Sequence, residues 1–188
     1  MDIEGRIRDL GEVDMEALGR AIFALDESAW HEENYRQRAY EVHRDTHSLV
    51  LVFCEETAWP ELEVKKEPAW DQLADVAVPV MHDIIGRCYP AGGAIIRAMA
   101  ARLNPGGKII PHTDSHPSFR MGHRIHVPIT TSRKTRFMID GRPYHLDVGQ
   151  AYEINNQKTH SVVNKGDEGR ITFIFDYVPP EQLAQVSA

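Results

Sequence analysis

Residues 94–114 read AIIRAMAARLNPGGKIIPHTD: an apolar run, an Asn-Pro-Gly-Gly turn, and a second short run that ends in His112-Thr-Asp114. Short apolar runs bounded by turn residues predict two β-strands joined by a tight connection. The pattern continues to the end of the chain and predicts a double-stranded β-helix, a jelly-roll or cupin-like barrel. The predicted strands are Ala94–Asn104, Lys108–Pro111, Arg124–Ile129, Arg136–Ile139, Pro143–Leu146, Ala151–Ile154, Ser161–Val163 and Arg170–Val178.

The first ninety residues carry a different pattern. Apolar positions at helical spacing predict a helix over residues 14–25, capped by Asp14, and a second helix from Leu73 to Ile84. His47–Phe53 is typical of a buried strand, and Glu55–Pro68 of a surface loop. The fold class is therefore mainly β with N-terminal helices. At 188 residues, a single domain is expected, with 1–90 as an elaboration and 91–180 as the β core.

Composition excludes several classes of protein. A net charge of -7 argues against a nucleic-acid surface, which needs clustered Lys and Arg. No apolar run reaches the ~18 residues of a membrane span. The first residues are acidic and lack the apolar region of a secretory signal, so a cytoplasmic location is expected. The expected partner is a small-molecule or peptidyl substrate, with neither nucleic acid nor membrane.

His112 and Asp114 are the first candidates for chemistry. They are two residues apart, so on an extended segment their side chains share one face. His160, at the start of a later strand, completes a set of two imidazoles and one carboxylate. Three such ligands on one side of a metal suit ferrous iron that must keep positions open, although Zn, Mn and Ni accept the same donors.

Arg170 is the second candidate. It alternates with apolar residues in the strand Arg170-Ile-Thr-Phe-Ile-Phe, which places its guanidinium on one face of the predicted barrel. A buried guanidinium needs an anion, and a carboxylate bound bidentately supplies one. Arg124 and His126 also share one face of their strand and add a second cationic pair.

Four motifs in this order resemble the aspartyl/asparaginyl β-hydroxylase family of 2-oxoglutarate oxygenases over about residues 91–180. They are Asn104-Pro-Gly-Gly through His112-Thr-Asp114, then Arg124-Ile-His126, then His160-Ser-Val-Val-Asn164, then Arg170. The resemblance implies that His112 and His160 bind iron and that Arg170 binds the distal carboxylate of 2-oxoglutarate. It places Arg124 and His126 near the iron-proximal end of the cosubstrate.

The resemblance also implies an activity: hydroxylation of an unactivated C–H of an amino-acid-like or peptidyl substrate, with Fe(II), 2-oxoglutarate and O2, yielding succinate and CO2. The vertebrate type member has Gly where this chain has Asp114. Because the carboxylate is present here, Asp114 is assigned as the third ligand beside His112 and His160. The segment from His116 to His123 is longer than in the family pattern and predicts a different loop over the site.

Two other readings of the same residues stay open: a cupin metalloenzyme that does not use 2-oxoglutarate, and a non-catalytic metal-dependent sensor. Residues with weaker signals include Arg97 and Arg102, which lie on opposite faces of a strand and are expected to contact a substrate carboxylate or to form a surface ion pair. Asn155 and Asn156 are assigned as turn residues that also support a ligand, and Trp30, Tyr35, Arg36 and His43 as pocket residues. Surface or loop positions are expected for His116, His123 and His145, with His116 also a candidate for substrate contact.

Overall fold

The computed structural model describes residues 1–32, 41–55 and 58–186, which form two antiparallel sheets with a few helices. The larger sheet has seven strands in the order β1-β9-β6-β11-β4-β2-β3, and the smaller has four in the order β5-β10-β7-β8. The strands are β1 (Ile7–Glu12), β2 (Thr46–Cys54), β3 (Val64–Lys66), β4 (Ala94–Leu103), β5 (Lys108–His112), β6 (His123–Pro128), β7 (Thr135–Ile139), β8 (Arg142–Tyr144), β9 (Gln150–Ile154), β10 (His160–Asn164) and β11 (Arg170–Val178).

The helices are mostly short. They are α1 (Glu16–Phe23), α2 (Ala29–Glu32), α3 (Trp70–Cys88), α4 (Ser118–Met121) and α5 (Pro180–Val186), with a 3-10 turn at Glu41–His43. The longest, α3, continues through Pro79 as one helix. Within the part of the chain that the structure describes, no helix has both the length and the apolar character needed to cross a membrane.

The main core lies between the large sheet and the helices α1 and α3. Phe173 and Phe175 of β11 are fully buried there, against helix residues such as Leu18 and Leu73. Their neighbours Arg170 and Thr172 face the other side of the strand, as the alternation in the sequence predicts. A smaller cluster between the sheets contains Leu103, Phe137, Ile139, Leu146, Tyr152, Ile154 and Val162. The polar face of β11 therefore borders the space between the two sheets.

Sequence and structure differ mainly in the first half of the chain. The strand β1 was not predicted, and β3 lies inside the expected surface loop Glu55–Pro68. Both pair with strands of the large sheet, β1 with β9 and β3 with β2. The predicted helix over residues 14–25 is shorter and begins at Glu16, so its N-cap is Met15 and not the predicted Asp14. Asp14 Oδ1 still accepts from the backbone N–H of Glu16 at 2.9 Å. The first ninety residues thus contribute hydrogen-bonded strands to the large sheet as well as helices.

Candidate metal centre

Three potential metal ligands meet where β5 and β10 pair. His112 ends β5, His160 begins β10, and the two residues are directly opposite in the antiparallel ladder. Asp114 follows in the loop after β5. One donor atom from each of the three side chains lies within 4.8 Å of the others. The structure therefore brings the predicted trio together.

The position of Asp114 differs from the expectation of one continuous strand, because β5 ends two residues earlier. Its backbone N–H instead donates to Asn156 O at 3.1 Å, and its carbonyl accepts from Gln157 Nε2 at 3.2 Å. Asn156, predicted to support a ligand, does so through its backbone carbonyl. The turn between β9 and β10 thus places the carboxylate that the strand does not reach.

Both imidazoles are oriented by backbone carbonyls. His112 Nδ1 lies 2.8 Å from Ile110 O, and His160 Nδ1 lies 3.0 Å from Lys158 O. A carbonyl only accepts, so in each ring the proton is on Nδ1 and the Nε2 lone pair is available to a cation. Burial lowers the pKa of His160, against the opposing effect of the Asp114 carboxylate, and this favours the neutral ring that metals bind.

Arg124 holds the remaining oxygen of Asp114. Its Nη1 donates to Asp114 Oδ2 at 2.7 Å, whereas Asp114 Oδ1 lies 3.8 Å from His112 Nε2. The same guanidinium donates through Nε and Nη2 to the two oxygens of Asp176, each at 2.8 Å. Burial alone would raise the pKa of Asp176, but the charge and hydrogen bonds of Arg124 lower it. Arg124, assigned to the cosubstrate from sequence, is thus bound to two carboxylates of the chain.

An inner cavity extends from the paired histidines to Arg170. Arg170 is 6% exposed, and among the described residues it has no hydrogen-bond or ion-pair partner; its guanidinium lies 5.8 Å from the Phe137 ring centre. Burial lowers its pKa to about 10, so it stays charged at neutral pH. The cavity is lined by His43, Thr46, Ala101, Leu103, Ile109, His112, Arg124, His126, Phe137, His160, Val162, Arg170 and Ile174.

His126 lines the same inner cavity and is buried. Among the described residues, its Nδ1 has no hydrogen-bond partner, and neither has the Oγ1 of the buried Thr172. Burial lowers the pKa of His126 well below its ordinary value, and the nearby guanidinium of Arg124 adds to this. A bound anion would satisfy both the His126 nitrogen and the Arg170 guanidinium, which line the same cavity.

An outer cavity of about 230 Å³ borders His112 and Asp114. It contains His116, the predicted candidate for substrate contact, together with residues that the sequence did not single out. Arg97, left ambiguous from sequence, is 2% exposed and belongs to this cavity. The lining residues are Val42, His43, Phe53, Arg97, Met99, His112, Thr113, Asp114, Ser115, His116, Phe119 and Arg124.

The other candidates have different positions. Arg102 forms an ion pair with Glu27 and stacks on Trp30, whose indole takes no part in either cavity. The assignment of His123 to the surface or a loop is wrong, because it begins β6 and its ring bonds the buried Glu153. His145 is exposed near Asp147, and Asn155 donates to the backbone of Ile3 and Gly5. His43 lines both cavities, whereas Tyr35 and Arg36 lie outside the described residues.

Comparison with known protein families matches the sequence that forms this site. The sequence model of the aspartyl/asparaginyl beta-hydroxylase family matches residues 14–180, which extends the resemblance into the first ninety residues. No curated protein matches the chain significantly.

Solved structures resemble the fold at low identity. An oxidoreductase of the 2OG-Fe(II) oxygenase family from Burkholderia pseudomallei has a TM-score of 0.54 and 13% identity, covering 95% of this chain and 92% of that one. A nickel complex of the non-heme monooxygenase ThoJ has a TM-score of 0.56 and 14% identity, covering 92% and 73%. A Pseudomonas putida prolyl-4-hydroxylase has a TM-score of 0.50 and 14% identity, covering 94% of each.

The two antiparallel sheets and these neighbours fit a jelly-roll fold. The family match spans most of the sequence and includes every motif on which the resemblance was based. The chain therefore belongs to the aspartyl/asparaginyl β-hydroxylase family.

Proposed function

We propose that this protein is an Fe(II)- and 2-oxoglutarate-dependent dioxygenase that hydroxylates an unactivated C–H of an amino-acid-like or peptidyl substrate. The observation that carries the proposal is Arg170. A buried, charged guanidinium with no anionic partner among the described residues lies in the same cavity as His112 and His160. A buried charge of this kind is strongly unfavourable unless an anionic ligand pairs with it.

His112, Asp114 and His160 would hold the metal. Two neutral imidazoles and one carboxylate match the donor set that ferrous oxygenases use, and the three donor atoms lie within 4.8 Å of one another. When bound, iron would supply O2 activation, with one oxygen atom entering succinate and the other the hydroxylated product. Arg124 would orient Asp114 through Oδ2, leaving Oδ1 towards the metal.

Arg170 and His126 would bind and orient the cosubstrate. Arg170 would pair with the distal carboxylate of 2-oxoglutarate, and His126 would donate to an oxygen nearer the metal from its buried Nδ1. Apolar neighbours such as Phe137, Val162 and Ile174 line the same cavity and would exclude water around the reacting groups.

The architecture that we infer is a single domain with a double-stranded β-helix core. In it β5 and β10 carry the histidine ligands, and β11 of the facing sheet carries Arg170. The N-terminal strands and helices would widen the large sheet and cover its outer face. The ligand set and the cosubstrate arginine would then approach each other from opposite sheets.

The test is conversion of 2-oxoglutarate to succinate by the Fe(II)-loaded protein, measured with and without candidate substrates. Slow uncoupled turnover is expected without substrate, and a mass gain of 16 on the substrate when one is present. Absence of turnover together with absence of 2-oxoglutarate binding would refute the proposal. Unchanged cosubstrate affinity in an Arg170→Ala variant would favour a metalloenzyme of the same fold that does not use 2-oxoglutarate.

A further inference from the structure

Arg97 belongs to a row of charges that crosses three strands. In the pairing register Asp176 of β11 lies beside Arg97 of β4 on one side and beside Arg124 of β6 on the other. Arg124 makes two 2.8 Å hydrogen bonds to Asp176, whereas Arg97 Nη1 lies 3.5 Å from the nearer oxygen. Asp176 therefore binds Arg124 more closely than Arg97.

The Arg97 side chain is held rigidly at the wall of the outer cavity. Its Nη2 donates to Ser118 Oγ at 2.8 Å. Its guanidinium carbon lies 4.2 Å from the ring centre of Phe119 and 5.3 Å from that of Phe53. Because packing already orders this cation, a ligand that binds it loses little conformational entropy of the protein.

The outer cavity is lined by both charged and apolar side chains. Among the described residues that line it, the charged ones are Arg97, Arg124 and Asp114, and a divalent metal on Asp114 would add further positive charge. Phe53 and Met99 provide apolar wall. Its volume of about 230 Å³ lies below the range of ~300–1,000 Å³ typical of drug-sized ligand sites. Its preferred occupant is a small anion with a compact apolar body.

We propose that Arg97 binds the carboxylate of a free, small carboxylic acid, of the size of an amino acid, and that this acid is the substrate. This inference rests on the proposed function, because the acid is placed as the molecule to be hydroxylated. The inner and outer cavities share His112 and Arg124, so the metal site lies between them. Arg170 would then bind the cosubstrate and Arg97 the substrate, with the reacting carbon between the two anchors.

The experiment compares free acids with matched molecules that lack the free carboxylate. The probes are the free L-amino acids, their C-terminal amides, and a peptide capped at both ends that contains an internal Asp. Binding is measured by calorimetry on the Ni(II)-loaded protein, and stimulation of 2-oxoglutarate turnover on the Fe(II)-loaded protein. At least one free acid is expected to bind and stimulate, with its amide at least ~10-fold weaker, as a lost charged hydrogen bond implies.

Variants then assign the effect to one side chain. Arg97→Gln is expected to weaken binding of the stimulating acid by about 30- to 100-fold, because it removes one member of a buried charge pair. Arg97→Lys, which keeps the charge but not the fork geometry, is expected to recover part of the affinity. Arg102→Gln, on the same strand but paired with Glu27 outside the cavities, is the matched control and is expected to bind the acid as wild type does. Thermal unfolding of each variant verifies folding.

Three results would overturn the inference: equal binding of acids and amides, binding of the capped Asp peptide but of no free acid, or an affinity in folded Arg97→Gln and Arg97→Lys within about threefold of wild type. Failure of the proposed function gives a different result, since wild-type protein would then bind a free acid in calorimetry yet neither bind nor consume 2-oxoglutarate.

Discussion

Replacing Arg170 with Met is expected to stabilise the ligand-free protein while removing its affinity for 2-oxoglutarate. Burial lowers the pKa of this guanidinium from 12.5 to about 10, so its charged form is less favourable in the folded than in the unfolded chain. At ~1.4 kcal/mol per pKa unit the difference corresponds to about 3 kcal/mol. The penalty is fully present below about pH 10 and disappears as pH rises towards 12.5, so it is constant over ordinary assay conditions.

Met fills a similar volume without the charge, and such replacements of buried charges stabilise proteins by about 1–4 kcal/mol. Allowing for imperfect packing, we expect the free energy of unfolding of Arg170→Met to rise by about 1–3 kcal/mol, or a few degrees in Tm. Removing the charge partner of a bound carboxylate costs about 2–5 kcal/mol, so 2-oxoglutarate should bind from about 30-fold to several thousand-fold more weakly.

The measurements are urea unfolding of the metal-free protein and calorimetric titration of the metal-loaded protein with 2-oxoglutarate. Arg136→Met, an exposed arginine on β7, serves as the control and is expected to change unfolding by less than ~0.5 kcal/mol and binding not at all. A loss of stability in Arg170→Met without ligand, or retained affinity for 2-oxoglutarate, would show that the guanidinium has a structural partner and is not held for an anion.

Three further predictions concern the metal ligand, its support and the buried histidine. Asp114→Ala is expected to weaken Fe(II) or Ni(II) binding by at least ~10-fold, measured by competition with a chelator, whereas Asp147→Ala on the surface leaves it unchanged. Asp176→Asn is expected to weaken metal binding by about 10-fold even though Asp176 is not among the three ligands, because it weakens the hold on Arg124, which binds the Asp114 carboxylate. Asp167→Asn, at an exposed position, is the control. His126→Gln is expected to make the free energy of unfolding of the metal-free protein less dependent on pH below 6.5. Burial lowers the pKa of His126 from its ordinary value of 6.5, so in the wild type the free energy of unfolding falls as pH drops below 6.5. For this one proton the fall is at most ~1.4 kcal/mol per pH unit.

For each of these three variants, a specific result would contradict the prediction. Metal affinity retained in Asp114→Ala would place the protein with the family members that use two histidines. Equal effects of Asp176→Asn and Asp167→Asn would mean that the buried carboxylate acts only on overall stability. An unchanged slope of stability against pH in His126→Gln would mean that the ring titrates normally in the folded state.

The predicted strands after Ala94 agree closely with the structure because their signal is local. Short apolar runs alternate with turns that need Gly, and Asp140-Gly141 turns back with positive φ at both residues. β1 and β3 have no comparable signal. Val64–Lys66 is three exposed residues, and its pairing with β2 is decided by tertiary contact.

The ligand trio and Arg170 could be predicted because each carries its signal in its own motif. The charge row could not, because the contacts of Arg97 and Arg124 with Asp176 depend on cross-strand register, and β11 has an irregularity just after Asp176. The sequence does carry one signal for it. Asp176 is an acid in an apolar strand, and a buried carboxylate there needs a cation just as the buried Arg170 needs an anion.

The pairing of His112 with His160 bears on how the chain opens. Among the described strands, β5 is at the edge of the four-stranded sheet and pairs only with β10. An ion bound by both imidazoles would link β5 to β10 and close the chain between His112 and His160 into a loop. The backbone amides of β5 should therefore exchange with solvent early in metal-free protein and late in loaded protein. The residues that would hold the metal would thus also determine which part of the fold opens first by local unfolding.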